Sequence, residues 1–564
     1  MTDSQTSQNS AELQAKLTRL KRDGEERAAQ RLAQKSGHTY VDLTRVPAVV
    51  DAMKLIPENI ARDAKIAAIE IKARGVAVAV LNPELPATKK AVRDLEEQKY
   101  KIKIFIASQA GLDQAWRLYR FVKPKTEAIT GKVNIEEKQI KDLMRRLIDL
   151  DSVRREIDGL DFAKITPTAL VEIILGGALS LRASDIHLEA EEKKAKIRFR
   201  IDGLLHDAYD NLPKKNYEVL ISRIKLLAGL KINVKNEAQD GRFAIGLGEK
   251  EIEIRVSIIP TEFGETIVMR ILDPDIIAIS LHDLGLREDD MVIVERQITK
   301  PNGLILNTGP TGSGKTTTLY AFLRKINDPE MKIITLEDPI EYRIEGIEQT
   351  QVNNETDYTF ANGLRAIVRQ DPDVILVGEV RDLDTADVAL QAALTGHMVL
   401  STLHTNDAIG AVPRLINLGV KAVSIGAAVT LIIAQRLVRK LCPKCKKAAQ
   451  IPEDLKSKIK KLVEKLPVRV DRLKYKNIEV YEPLGCPECG GIGYRGRIGI
   501  FEFLEGGLDL EEIILKEASE ISLKKLADKQ GMVTMQKDGI LKILAGETSF
   551  EEVESATGKI EWTN

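Results

Sequence analysis

GLILNTGPTGSGKTTTLY, residues 303–320, decides how the rest of the chain is read. Leu304, Ile305 and Leu306 form a short apolar run with the character of a buried strand. Gly309, Pro310, Thr311, Gly312, Ser313, Gly314, Lys315 and Thr316 then fit G-x-x-x-x-G-K-[ST], and Thr317–Ile326 has helical character. A phosphate-binding loop requires this strand–loop–helix context. Its glycines let successive backbone N–H groups point inward around an anion, and the new helix adds its positive N-terminal end. Lys315 is placed to reach the β- and γ-phosphates of ATP. The Thr316 hydroxyl is placed to ligate Mg²⁺, with Thr317 next in the nucleotide set.

Bulk properties narrow the class. With 564 residues the chain has room for three to four domains. Its 84 basic and 84 acidic residues cancel, and only 4% of residues are aromatic. Neither a basic footprint nor a base-stacking platform is indicated, so no nucleic-acid partner is expected. The N-terminal residues MTDSQTSQNSAELQAK lack the apolar core of a signal peptide. Val420–Val438, the longest apolar stretch, is broken by Lys421, Ser424, Gln435 and Arg436 and reads as a buried helix rather than a membrane span. An intracellular, cytoplasmic protein is expected.

Five segments follow from composition and periodicity. Residues 1–30 read as a polar tail and 31–122 as a small α/β unit without visible chemistry, suited to docking. Its strands are expected at Val76–Leu81 and Ile102–Ile106, its helices at Ala87–Gln98 and around Gly111–Tyr119. Residues 123–160 read as a linker (Pro124, Thr126, Thr130, Gly131) and a helix. Residues 161–282 form an α+β domain with alternating strands (Ile186, Leu188; Ile197, Phe199, Ile201). By sequence alone, Arg255 and Arg270 there are solvated strand-face arginines. Residues 283–564 form an α/β domain with four strands, Leu304–Asn307, Lys332–Leu336, Val374–Val377 and Met398–Thr402, each ending in polar groups. Ligands of open α/β sheets bind beyond such carboxyl ends, so these groups converge on one place.

Phosphoryl transfer to water needs a carboxylate that orients the water and one that holds the metal's shell. Glu379 ends an apolar strand and fits that need. Asp373 sits at the strand's other end, ~20 Å away if extended. Glu337 is the better candidate of the next pair, because Asp338 precedes Pro339 and suits a turn. His404 ends its strand where a γ-phosphate would be sensed. His397 opens that strand at the far end, and for it structural and functional readings both stay open.

Cys442-Pro-Lys-Cys445 and Cys486-Pro-Glu-Cys489 are two C-x-x-C knuckles separated by 40 residues, so a sub-domain is inserted between them, within a module spanning 440–495. Four thiolates suit a closed, structural Zn²⁺ site. The rival redox reading lacks a thioredoxin-like context. The nearby Arg436, Arg439, Lys440, Lys444, Lys446 and Lys447 read as a solvated face; a docking surface for an acidic partner or membrane is the sharper alternative. The C-terminal Ser522–Gly558 reads as short helices.

GPTGSGKTTTLY, ITLEDPIEYRIEGIEQTQVN, LRAIVRQDPDVILVGEVRD, ALTGHMVLSTLHTNDA and AQRLVRKLCPKC together resemble the type II secretion and type IV pilus assembly ATPases. The resemblance runs from about Arg31 to the C-terminus. It implies a RecA-like P-loop ATPase core preceded by an α+β (PAS-like) domain and a small N-terminal domain, with the inserted zinc module. It implies a homo-hexameric motor at the inner face of the cytoplasmic membrane, docked on an inner-membrane platform protein and a cytoplasmic partner, with membrane association through those partners. ATP hydrolysis would drive assembly of a pilus or pseudopilus. Glu337 falls in the family's aspartate box, Glu379 is its Walker B glutamate, and His397 and His404 form its histidine box. Arg255 and Arg270 fall where the second domain supplies arginines to the nucleotide. The four-cysteine insert and long N-terminal part fit assembly or secretion better than retraction. The N-terminal glycine- and leucine-rich motifs by which some relatives bind a cyclic dinucleotide are not found. In another class, a nucleic-acid translocase shares the same ATP core, and a nucleotide-gated adaptor with slow turnover is a third reading.

Overall fold

The computed structural model describes residues 22–562, apart from 23, 44–48, 54, 73–74, 98–99, 122–136, 249 and 277–278. The first 21 residues of the expected tail and the linker residues Pro124, Thr126, Thr130 and Gly131 lie outside the described residues. Two units result, Met1–Thr130 and Gly131–Asn564.

The first unit has a four-stranded sheet in the order Thr39–Tyr40, Lys101–Ile106, Gly75–Val80, Ile66–Lys72. Helices Pro86–Glu97 and Gln109–Trp116 follow the expected positions. Ile66, Val78, Ile106, Leu112 and Trp116 share its core. The Trp116 indole donates to the Ile66 carbonyl at 3.0 Å, so even this large ring is anchored by its one polar atom.

The second unit begins with an antiparallel six-stranded sheet. Its order is Leu204–Pro213, Lys194–Ile201, Asp185–Ala190, Gly264–Leu272, Lys250–Thr261, Gln239–Leu247. Alternation puts Ile186, Ile197, Phe199, Ile254, Val256, Ile267 and Met269 on the covered face. The other face carries a row in register across five strands: Arg200, Asp185, Arg270, Arg255 and Arg242. Helices Glu137–Arg146 and Leu150–Asp158 add Ile140, Leu143, Val153 and Ile157 to the same core. The stretch expected as linker and helix over 123–160 thus gives its helical part to the α+β domain, because these apolar side chains need the sheet's covered face.

Seven strands form the next sheet, in the order Glu348–Gln351, Ile333–Glu337, Val374–Val377, Met398–Leu403, Gly303–Thr308, Val429–Leu441, Tyr494–Glu505. The first six are parallel and the last is antiparallel to its neighbour. The reading of Val420–Val438 as one buried helix is corrected. Ala422–Ala428 is helical, and Val429–Leu441 is a strand inside the sheet. Both faces of that strand are covered, so its apolar run carries no period by which helix and strand can be told apart.

The segment between the cysteine pairs forms a two-stranded ribbon, Lys447–Ala449 with Val480–Glu482, and a helix, Glu453–Glu464. Four C-terminal helices, Leu508–Glu517, Glu520–Lys529, Met535–Leu544 and Phe550–Thr557, close the chain. Among the described residues, no helix is long and apolar enough to cross a membrane.

Candidate functional site

Strand Gly303–Thr308 is buried along its whole length and delivers the chain to Gly309. The loop tolerates no side chain at two points. A Cβ on Gly309 would lie 2.6 Å from the Gln435 carbonyl oxygen, and one on Gly314, at φ 89°, would lie 2.8 Å from the Gln435 amide nitrogen. Helix Lys315–Ile326 starts at once. The Lys315 ammonium is buried and donates to the carbonyls of Gly309 (2.8 Å) and Pro310 (3.0 Å), and burial lowers its pKa. Ser313 Oγ is buried with no hydrogen-bond partner among the described residues. A bare cradle, a buried ammonium and an unpartnered hydroxyl fit the phosphates of a nucleotide. Thr316 follows on the exposed side of the first helical turn, as Mg²⁺ ligation requires.

The neighbouring strand ends gather around this loop. Glu379 follows strand Val374–Val377, largely buried. One oxygen pairs with Arg381 at 2.5 Å and the other lies 3.5 Å from His404 Nε2. Its field also reaches Lys315, where it favours the charged ammonium. Three members of the expected set, Lys315, Glu379 and His404, are therefore brought together. Thr405 is tied to the phosphate-loop strand by its hydroxyl, 2.7 Å from that of Thr308.

Glu337 ends strand Ile333–Glu337 in a closed cage. It accepts from the Tyr320 hydroxyl in a short hydrogen bond, from Thr335 Oγ1 at 2.6 Å and from Gln349 Nε2 at 3.3 Å. Burial raises its pKa, and those three donors oppose the rise. Tyr320 stands on the helix that begins at Lys315, so the cage links the phosphate loop to the Glu337 strand. His397 is not brought to the loop. Its Nδ1 lies 2.9 Å from the Ala392 carbonyl, at the opposite end of the strand from His404. Six strand residues separate the two histidines, ~20 Å.

The two candidate arginines of the α+β domain, Arg255 and Arg270, have protein partners. Arg255 donates to Glu341 at 3.0 Å and to the Ile340 carbonyl at 2.5 Å, reaching the segment just beyond Glu337. Arg270 pairs with the buried Asp185 at 3.2 Å and stays largely exposed. Arg255 is therefore drawn out of solvent, while Arg270 remains a solvated strand-face arginine that also pairs with Asp185. The solvated-face reading also fails for two members of the basic cluster. Arg439 pairs with Glu552 and lies 4.0 Å from the centre of the Tyr494 ring. Arg436 is half-buried, one terminal nitrogen 3.2 Å from where a Cβ of Gly309 would sit.

Gln435 was visible in the sequence only as a polar break. Its side-chain oxygen accepts from Asn307 (2.9 Å) and from Thr318 (2.8 Å), so one buried amide locks the strand before the loop to the helix after it. A polar residue inside an apolar run was the available signal.

The four cysteines meet. Their sulfurs all lie within 4.8 Å of one another. Sγ–Sγ separations of 3.9 Å (Cys442–Cys486), 3.9 Å (Cys445–Cys489) and 3.8 Å (Cys486–Cys489) fit the ~3.8 Å edge of a tetrahedron with ~2.3 Å metal–sulfur bonds. Burial works against a thiolate at Cys489, but the amides of Cys486 and Gly493 outweigh it and bring its pKa down to about 7. The donor set fits Zn²⁺.

A family model described as type II/IV secretion system protein matches residues 161–555, and an MshEN domain model matches residues 36–120. The chain is 37% identical to the type IV pilus assembly ATPase PilB of Myxococcus xanthus over 525 residues, 93% of this chain and 89% of that one. It is 46% identical to the type II secretion system ATPase E of Vibrio cholerae over 388 residues, 69% of this chain and 75% of that one. Among solved structures, the Legionella pneumophila ATPase DotB aligns with a TM-score of 0.50 at 22% identity, covering 69% of this chain and 95% of that one, a likeness of fold.

Proposed function

The chain belongs to the type II/IV secretion system protein family, and from that premise we propose that it is a hexameric ATPase motor that drives assembly of a pilus or of the pseudopilus of a secretion system. The observation that carries this reading is the meeting of Lys315, Glu379 and His404 around one glycine-lined loop. Lys315 would neutralise the β- and γ-phosphates. Glu379 would orient the attacking water, with Arg381 and His404 holding its two oxygens. Mg²⁺, held through Thr316, supplies neutralisation of phosphate charge when bound. Glu337, caged by Tyr320, would set the second carboxylate of the site.

Arg255 and Arg270 belong to a domain that can close on the loop. Their present carboxylate partners, Glu341 and Asp185, are what a nucleotide phosphate would replace or share. An arginine supplied on closure accelerates phosphoryl transfer by ~10³ or more. Hydrolysis would then weaken the hold between the two domains, and in a ring of six that change becomes movement of a central partner. The N-terminal unit would dock to the cytoplasmic and platform components of the machinery, which would keep the motor at the inner face of the membrane. His397, far from the loop, would fix the start of its strand rather than touch substrate.

The test joins two measurements on the full chain. Light scattering with a non-hydrolysable ATP analogue should give a mass of six subunits, and Glu379→Gln should bind ATP while losing turnover by ~10² or more. A monomer under all conditions, or a Glu379→Gln protein with native turnover, overturns the motor reading.

A further inference from the structure

Arg436 is the residue whose surroundings the described functions leave unexplained. It stands on strand Val429–Leu441, next to the phosphate-loop strand. Its guanidinium crosses under the loop: one terminal nitrogen lies 3.2 Å from where a Cβ of Gly309 would be. That nitrogen donates to the Gln435 carbonyl at 3.1 Å. The other donates to the Asn406 carbonyl at 2.9 Å, with Asn406 Oδ1 at 3.4 Å. No carboxylate among the described residues lies within ion-pair distance of it.

The two acids whose fields reach Arg436 are Glu502 and Asp407. Both are committed elsewhere. Glu502 accepts from the backbone N–H of Ala408 at 2.8 Å and of Met535 at 3.1 Å, and Asp407 accepts from that of Gly410 at 2.7 Å. Lys315 is in the same position: its donors rest on loop carbonyls, and no carboxylate pairs with it among the described residues. The charge of Arg436 also reaches Lys315 and lowers its pKa, against the field of Glu379. Two neighbouring, desolvated cations with no carboxylate at ion-pair distance repel, and the arrangement is relieved by a polyanion that both can touch.

We propose that Arg436 is a second cation of the nucleotide site, contacting a phosphate oxygen of bound nucleotide beside Lys315. The contact rests on the ATPase reading of the loop. Its geometry adds a consequence. The same guanidinium holds the Asn406 carbonyl, so a phosphate that recruits one of its edges changes the hold on residues 404–407, the segment that carries His404. Arg436 is therefore placed to tell that segment whether the loop is filled.

The test is calorimetric titration of the full chain with the Mg²⁺ complex of a non-hydrolysable ATP analogue. Arg436→Gln should weaken binding on the order of tenfold, the loss expected for one charge-assisted hydrogen bond pair. Arg436→Lys, which keeps the charge but not the fork, should recover part of it. The nucleotide-free melting temperature of Arg436→Gln should match the native one. If Arg436→Gln unfolds, Arg436→Lys carries the test, and native affinity there overturns the proposal. Lys315→Ala separates the two readings. If it abolishes binding while Arg436→Gln binds within twofold of native, only the role of Arg436 falls. If neither variant changes affinity, the ATPase reading of the loop falls with it.

Discussion

Two clusters of buried charge in the second unit look alike in composition and differ in completeness. In the first, Arg287, Arg469 and Lys542 face Asp289, Asp290 and Asp538. Arg287 lies 3.0, 2.7 and 2.5 Å from the three carboxylates, Arg469 lies 2.5 and 2.9 Å from Asp289 and Asp290, and Lys542 lies 2.5 Å from Asp538. Three cations meet three carboxylates, and Asp538 also accepts the Phe501 N–H at 2.9 Å. The fields of Lys542 and Arg287 overcome burial and hold the Asp538 carboxyl below the usual aspartate range. In the second cluster, at the phosphate loop, Lys315 and Arg436 donate to carbonyls and have no carboxylate of their own among the described residues. A balanced buried cluster is a joint between elements. An unbalanced one is a place for an ion of the missing sign.

The sharpest way to break this contrast is to remove a charge from each cluster and ask which property suffers. Lys315→Ala should reduce ATP turnover by more than ~10³ with little change in the melting temperature. A steady-state phosphate-release assay beside a thermal melt reads both. Asp538→Asn should do the reverse. It strands Lys542 in a buried site and takes one of the three carboxylates of Arg287, which should destabilise the fold by about 3–5 kcal/mol, while the folded fraction keeps native affinity for nucleotide. If Lys315→Ala melts early and Asp538→Asn stays stable, charge balance is not what separates joint from site.

How far each cluster was legible in the sequence follows from how local its partners are. The phosphate loop lies within eight consecutive residues, and Glu379 and His404 end strands that stand out by themselves, so their convergence could be expected. The balanced cluster could not be expected, because its ends, Arg287 and Asp538, are 251 positions apart. Arg436 was hidden for a related reason. It follows Gln435 in a run taken for a helix, and only the strand assignment places one residue against the loop's buried side and the next across its end. Tyr320, on the loop helix, gives its hydroxyl to Glu337 at the end of a strand, a contact set by helix-on-sheet packing that no local pattern signals. The α+β domain was legible from alternation except for strand Leu204–Pro213, and the row Arg200–Asp185–Arg270–Arg255–Arg242 needs the register of five strands.

The cysteines are the opposite imbalance: four ligands that are anionic when metallated meet at one point. The full chain should therefore carry one tightly bound Zn²⁺, read by elemental analysis. Cys486→Ser, or strong chelation, should speed proteolytic cleavage within residues 446–485 by about tenfold, because the ribbon and helix there are tied down by the metal site. Nucleotide affinity should hardly move, since the site is closed and does no chemistry. Metal-free protein with native protease resistance would remove the cluster from the comparison.

The smallest effect expected is also the finest probe of what incomplete pairing means. Glu337 is buried but not unsatisfied, since Tyr320, Thr335 and Gln349 all donate to it. Burial raises its pKa and these donors pull it back. Tyr320→Phe removes one donor and leaves the ring, so the carboxyl should hold its proton more tightly still. If the ionised form is the working one, the acid limb of the pH–turnover profile moves to higher pH and turnover at neutral pH falls a few-fold. Sign matters here: loss of the donor destabilises the carboxylate, so the limb cannot move to lower pH for this reason. A profile that keeps its limb and loses only amplitude would mean that Tyr320 holds Glu337 in place without tuning its charge. Glu337 would then belong with the balanced cluster and not with the phosphate loop.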